Sequence, residues 1–405
     1  MLKDILLLLN QHWEHDFFYN YPFKRHIYKK LVSYLSTPLI LTINGPRRVG
    51  KTVLMKQLIN HLISEGFSRK NILFFSFDEE IDEPIEIIKT WEEIIGKKVK
   101  GSNYFIFFDE VQNLNNWASK IKILHDNIGV KIFLSGSASL EIKKGHESLA
   151  GRSIDISINP LSFDEYLMLS GKAHSDILEQ EWENYKFYMH RQLPGLALHS
   201  SLDSHDYVSS IVKKVIYEDA KKFYSINEQP ILEGIFKTIC RDPGQIMAIS
   251  DIAKDFGISR ITASHYINAL EKSFLIRKLY NFSNNPRKIE VRAKKYYPYY
   301  TTLIDYVSQT DLSKIAETEV AWKLNAEFFW NDRGKEIDFI KNSNAIEVKM
   351  RKTIDKNDIK WLIKTELKIK RKIVITMPET KVRLDKKHAK GIEIIGIQNL
   401  ENVQI

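Results

Sequence analysis

The sequence predicts an α/β protein whose first part is a parallel sheet covered by helices. Three observations carry this. From residue 38 to 165 short apolar runs alternate with stretches of helical periodicity. The apolar runs are continuous, as in strands buried on both faces. And Gly45-Pro46-Arg47-Arg48-Val49-Gly50-Lys51-Thr52 fits G-x-x-x-x-G-K-[ST], the phosphate-binding loop that joins a strand to a helix.

The flanks of that loop comply. Pro38–Ile43 (PLILTI) reads as the entering strand and Val53–Ile63 (VLMKQLINHLI) as the leaving helix. Gly45 and Gly50 allow the tight turn whose backbone N–H groups wrap a phosphate, and the helix N-terminus faces the same anion. Lys51 supplies a point charge to the β- and γ-phosphates, and the Thr52 hydroxyl is a ligand for Mg²⁺. The candidate ATP contacts are therefore Gly45, Pro46, Arg47, Arg48, Val49, Gly50, Lys51, Thr52 and Val53, with Lys51 also catalytic.

A chain of 405 residues has room for several domains. The apolar run Ile5–Leu9 is too short to span a bilayer, and no other stretch approaches that length. No membrane partner is expected. Cys240 is the only cysteine, which excludes an intrachain disulfide and a cysteine metal cluster and makes a cytoplasmic setting the default. Of the net charge of +9, residues 283–405 carry +8, from 25 basic and 17 acidic side chains. A basic C-terminal third fits DNA as a partner, and equally fits a solvated lysine-rich surface.

Residues 1–37 are an aromatic lead-in with Trp13, Phe17, Phe18, Tyr19 and Tyr21, and no chemistry is assigned to them. Strands are expected at 38–43, 71–77, 104–108, 131–134 and 153–158. The third ends in Phe105-Ile106-Phe107-Phe108-Asp109-Glu110, an apolar run followed by two carboxylates. Such a strand delivers Asp109 to Mg²⁺ and leaves Glu110 to polarise the attacking water. The fourth ends in Leu134-Ser135-Gly136-Ser137-Ala138-Ser139. Ser135 is the candidate at its tip to touch the γ-phosphate or the water. After Leu149-Ala150-Gly151, Arg152 is a candidate to neutralise transition-state charge, in cis or across a subunit boundary.

GPRRVGKT, FFDEVQNLNNW, LSGSAS and LAGRSIDISINPLSFDEYL, in that order, resemble the prokaryotic AAA-superfamily P-loop ATPases that carry a C-terminal restriction-endonuclease-like domain. The resemblance covers most of residues 38–350. It implies an ATPase core at 38–165, a helical lid at 166–245, a winged helix at 246–282 and the endonuclease-like domain at 283–405. It also implies ATP and Mg²⁺ as cofactors, a homo-oligomeric ring, and a role for Arg152, which lies in a hallmark segment. Leu193-Pro194-Gly195-Leu196 departs from the family, where relatives tend to read glycine-glycine-phenylalanine-proline.

Residues 247–282 have helix-turn-helix punctuation. One helix runs over Ile249–Phe256, Gly257 turns, Ser259 caps a second helix to Lys272, and Leu275–Tyr280 is the wing strand. In a major groove the second helix would present Arg260, Thr262, Ser264 and His265. The same module also fits one that only packs against the ATPase. In 283–316, Arg287, Lys288, Lys294 and Lys295 interleave with Tyr296, Tyr297, Tyr299 and Tyr300. They suit base stacking, or a linker folded onto the core.

In the last third Glu317 opens the helical run ETEVAWKL, and Asp338, Glu347 and Lys349 form D-x8-E-x-K on two strands of a hairpin. Alternation puts Glu347 and Lys349 on one face, with Asp338 opposite. Two carboxylates can hold Mg²⁺ on a scissile phosphate, the lysine can steady the developing anion, and Glu317 can add a ligand. This resembles the PD-(D/E)xK nuclease pattern, with Ile337 where proline often stands. Such domains also bind DNA without cutting it. The reading that gathers most of these signals is an ATP-hydrolysing protein coupled to DNA processing or remodelling. The alternatives are a nucleotide-dependent switch on a protein partner and an ATP-licensed, Mg²⁺-dependent nuclease.

Overall fold

Five apolar runs in the first part of the chain pair as parallel strands. They are β1 (Ile40–Asn44), β2 (Ile72–Ser76), β3 (Phe105–Asp109), β4 (Lys131–Gly136) and β5 (Ser153–Ser157), in the order β2-β3-β4-β1-β5. The computed structural model describes residues 1–79, 81–137, 149–171, 180–307, 310–385 and 391–403. It divides into two units, Met1–Leu161 and Ser162–Ile405.

In the first unit, helices α1 (Leu2–Leu9), α2 (Lys51–Ser64), α3 (Pro84–Ile95) and α4 (Trp117–Ile128) accompany the sheet. Phe75, Phe108, Ile106, Ile132 and Leu134 are fully buried with Leu6 and Trp91 in one core, which is why these strands read as continuous apolar runs. The lead-in has a structural task. β2 is an edge strand, and its outward backbone groups need partners. Asn10 supplies them in both senses, donating to Phe74 O (2.9 Å) and accepting from Phe74 N (2.7 Å). Trp13 Nε1 donates to Ile72 O at 2.7 Å, and His12 Nε2 lies 3.0 Å from the same oxygen. Burial pushes the His12 imidazole down to about 4, so it sits there neutral.

The second unit begins with helices α5 (Phe163–Ser170), α6 (Glu181–Met189), α7 (Ser204–Lys213) and α8 (Gln229–Arg241). The Ser162-x-x-Glu165 spacing of the PLSFDEYL segment is a capping box. The Ser162 hydroxyl accepts from Glu165 N (3.2 Å) and the Glu165 carboxylate accepts from Ser162 N (3.1 Å).

Next come β6 (Gln245–Met247), α9 (Ile249–Asp255), α10 (Arg260–Lys272), β7 (Ile276–Asn281) and β8 (Lys294–Pro298). Both helices fall where the turn signals put them, and Ser259 caps α10 as read. After them lie α11 (Leu312–Lys323), β9 (Phe328–Asp332), β10 (Lys335–Lys341), β11 (Asn344–Lys349), β12 (Thr353–Asp355), β13 (Arg371–Thr376), β14 (Lys381–Arg383) and β15 (Ile392–Gly396). Eight strands form one sheet in the order β15-β13-β11-β10-β9-β7-β8-β6, and β12 pairs with β14 alone.

This sheet corrects three expectations. The division at 282/283 does not separate two sheets, because β7 pairs in parallel with β9 through Tyr280–Phe328 and Asn281–Phe329. Residues 294–298 are strand β8, held between β6 and β7, and Tyr296, Tyr297 and Tyr300 are buried, so they present no faces for base stacking. Glu317 does not open its helix. Asp311 caps α11 by accepting from Ser313 N at 2.6 Å, which leaves Glu317 in mid-helix. Among the described residues, no helix is long and apolar enough to cross a membrane.

Candidate functional site

The phosphate loop is shaped by its glycines. At Gly45 φ is +151°, and a Cβ there would stand 2.2 Å from Ile158 O, so no other residue fits. Gly50 is left-handed (φ +99°) and precedes α2 without a side-chain cap, so no capping side chain takes the N–H groups of the first turn. Arg25, from the lead-in, braces the loop. Its guanidinium donates to Val49 O (3.1 Å), Asn159 O (2.8 Å) and Pro160 O (3.0 Å). No local pattern marked Arg25, since its partners are carbonyls on distant segments. Lys51 Nζ donates to Gly45 O (3.0 Å) and Pro46 O (2.8 Å), which lays the ammonium along the loop.

Because β4 lies between β1 and β3, three strand ends converge beside this loop. Thr52 Oγ1 donates to Asp109 Oδ2 at 2.5 Å, so the two hard oxygen donors suited to Mg²⁺ already meet. Ser135 is buried, and its hydroxyl donates to Asp109 Oδ1, so it positions that carboxylate. Ser137, just past the end of β4, donates to Glu110 Oε2 at 3.2 Å. The Gln112 amide donates to the same oxygen and, at 3.2 Å, to Ser137 Oγ. Sequence reasoning missed both roles. Ala138 and Ser139 lie outside the described residues.

The two carboxylates diverge electrostatically. Burial and the Glu110 charge push Asp109 up, against the hydrogen bonds from Ser135 and Thr52 and the Lys51 charge. Burial also raises Glu110, but the Lys51 and Arg47 charges, with the bonds from Gln112 and Ser137, outweigh it and hold the group below the usual range. Glu110 is thus a carboxylate at neutral pH, the form a base requires.

Arg152 is elsewhere. Ser153 pairs with Ile40 and Ser157 with Asn44, so Arg152 stands where the strands begin and the phosphate loop where they end. Five residues of strand put about 16 Å between them. Its guanidinium is held by Asp126 at 2.9 Å. This placement keeps Arg152 away from the phosphate loop of its own chain.

In the second unit, β10 and β11 form the expected hairpin and bring Asp338, Glu347 and Lys349 together. Lys349 Nζ lies 2.6 Å from Glu347 Oε2 and 3.6 Å from Asp338 Oδ2. Glu317 joins them through Lys295 of β8, whose ammonium lies 2.6 Å from Glu336, 3.1 Å from Glu317 and 3.8 Å from Asp338. Tyr297 OH donates to Glu317 Oε1 at 2.5 Å. Burial pushes Asp338 up, but Lys349 and Lys295 bring it down to about 2, while burial and Asp338 drive Glu347 well above its usual range. Among the described residues, no three of His, Cys, Asp and Glu converge on a metal-sized site. Lysine ammoniums stand among these carboxylates, Lys295 beside Glu317 and Asp338 and Lys349 beside Glu347.

On α10, Thr262 Oγ1 lies 2.8 Å from the capping Ser259 hydroxyl, and His265 Nε2 lies 2.8 Å from Tyr224 O. Thr262 is half-buried and His265 is exposed. Arg260 and Ser264 remain exposed. With Lys278, Lys294 and Tyr280 they line a cleft of about 680 Å³ between α10 and strands β7 and β8.

Comparison with known proteins bears on the first unit most directly. Residues 37–167 match the AAA_14 family model, described as an AAA domain, and this segment is an AAA domain. Residues 193–314 match a domain of unknown function, DUF8612. An uncharacterized protein of Haemophilus influenzae is 25% identical over 277 residues, 66% of this chain and 67% of its own length. One of Methanocaldococcus jannaschii is 29% identical over 272 residues, 62% of this chain and only 58% of its own length. Among solved structures, a katanin self-assembly structure covers 49% of this chain and 79% of its own (13% identity, TM-score 0.31). The replication initiator DnaA bound to AMPPCP and single-stranded DNA covers 61% and 86% (16% identity, TM-score 0.28).

Proposed function

We propose that the chain binds ATP with Mg²⁺ at the site built by Lys51, Thr52, Asp109 and Glu110, hydrolyses it, and couples turnover to DNA. The convergence of Thr52, Asp109 and a braced Glu110 on the ends of three adjacent strands carries the first part of this reading. Lys51 and the N–H groups of the loop hold the phosphates, and Thr52 and Asp109 hold the metal, which neutralises charge on the β- and γ-oxygens when bound. Glu110 accepts the proton of the attacking water, with Gln112 and Ser137 fixing its carboxylate. Arg152 enters the chemistry only if copies of the chain associate, as in a ring.

For the second part, we read residues 246–298 as a winged helix whose DNA face is the N-terminal half of α10 with strands β7 and β8. Exposed Arg260 and Ser264 and the cationic Lys278 and Lys294 support it, as does the basic C-terminal third. One observation favours the protein-switch reading. Ile261, beside Arg260, is 84% exposed, and an apolar side chain there suits a protein contact. Arg260→Glu separates the two. Duplex DNA affinity is expected to fall about tenfold, and the slope of log K against log salt to flatten by about one. Unchanged affinity at matched salt would remove α10 from DNA binding.

A further inference from the structure

We propose that Lys295 is the built-in cation of the C-terminal carboxylate cluster, standing beside the carboxylates that would hold a divalent metal and making the cluster an ionic joint within the sheet. The nuclease pattern requires a metal on Asp338 and Glu347. The donors are present, but ammoniums already stand against them, Lys349 beside Asp338 and Glu347 and Lys295 beside Asp338 from the Glu317 side. The Lys295 ammonium lies within ion-pair distance of Glu317, Glu336 and Asp338, and the residue is only 2% exposed. Two more contacts close the site. Tyr297 OH is bonded to Glu317, and at Gly244 (φ +81°) a Cβ would stand 2.9 Å from both Glu317 Oε1 and Tyr297 OH.

Two ammoniums offset part of the carboxylate charge without a metal. Glu317, Glu336, Asp338 and Glu347 face Lys295 and Lys349, and Val348 N donates to Asp338 Oδ2 at 2.9 Å. A divalent cation would have to enter beside a buried ammonium, where like charges a few ångströms apart repel strongly. Removing one partner of such a buried cluster leaves uncompensated charge, and a divalent ion is the obvious replacement.

Topology shows what the joint connects. Lys295 comes from β8, which belongs to the strands around α9 and α10, and its partners Glu336 and Asp338 come from β10, beyond the β7–β9 seam. Alternation along β8 sends Lys294 and Tyr296 to the α10 cleft and Lys295 and Tyr297 to the cluster. One strand thus ties the cleft to the C-terminal strands through an ion cluster.

The test is Mn²⁺ binding to the full chain in an Asp109→Asn background, followed by electron paramagnetic resonance. That background removes the metal ligand of the nucleotide site, and ATP hydrolysis is no part of the readout, so the outcome is independent of the ATP–DNA reading. Without further change the chain is expected to bind no Mn²⁺ in the millimolar range. Adding Lys295→Met should create one site at least about tenfold tighter, lost again on adding Asp338→Asn. A Mn²⁺ site present with Lys295 intact and abolished by Asp338→Asn would overturn the proposal. So would a folded Lys295→Met chain that gains no site. If Lys295→Met does not fold, the comparison of Lys295-containing chains with and without Asp338→Asn decides alone.

Discussion

Glu110→Gln is expected to bind ATP as tightly as the parent chain and to hydrolyse it about 10²- to 10⁴-fold more slowly, the usual range for losing a positioned base. The substitution keeps the shape and the hydrogen bonds from Ser137 and Gln112 within reach, so it removes the proton acceptor and little else. Lys51 and Arg47 hold Glu110 ionised at neutral pH against its burial, so the parent group is ready as a base across that range. Single-turnover hydrolysis together with a nucleotide titration checks both halves. A turnover rate within threefold of the parent would show that another group activates the water.

Gly45→Ala is expected to abolish nucleotide binding and to destabilise the first unit by about 2–4 kcal/mol, the range for strain at a position that cannot relax. The added Cβ would sit 2.2 Å from the Ile158 carbonyl, a backbone atom with no rotamer to yield. Either the loop or the end of β5 must move, and both frame the phosphate. Gly96→Ala is the matched control. It also has positive φ (+70°), but nothing lies within 4 Å of its Cβ, so it should cost only about 1 kcal/mol and leave ATP affinity unchanged. Denaturant unfolding and ATP affinity of both variants make the comparison. Equal losses would mean that the approach to Ile158 is not what demands glycine.

The parts of this molecule legible in the sequence are those whose physics is local. A phosphate loop needs glycines and a lysine at fixed spacing, so Gly45–Thr52 could be read directly. Strands buried on both faces advertise themselves as apolar runs, and each predicted strand of the first sheet falls close to its observed position. Ser259 announced α10 because capping is a three-residue interaction, and period-2 alternation was enough to bring Asp338, Glu347 and Lys349 together.

What stayed hidden depends on contacts between distant segments. Ser135 lies near the end of β4 and Ser137 just past it, and only the position of β4 beside β3 decides that the first steadies Asp109 and the second Glu110. Arg152 sits in a hallmark segment, yet the parallel register with β1 puts it at the wrong end of the sheet for its own phosphates. Lys295 read as one of several basic residues among tyrosines. Its role emerges only when β8 lies beside β7 and β7 beside β9, a parallel pairing across the 282/283 division that no hairpin signal foretells.

The central claim is ATP turnover at the Lys51 site coupled to DNA. The most direct measurement is the ATP hydrolysis rate with and without duplex DNA, in the parent chain and in Lys51→Ala. The account predicts a rate that rises several-fold with DNA and disappears in Lys51→Ala under both conditions. Hydrolysis that survives Lys51→Ala would contradict the site, and a Lys51-dependent rate indifferent to DNA would contradict the coupling.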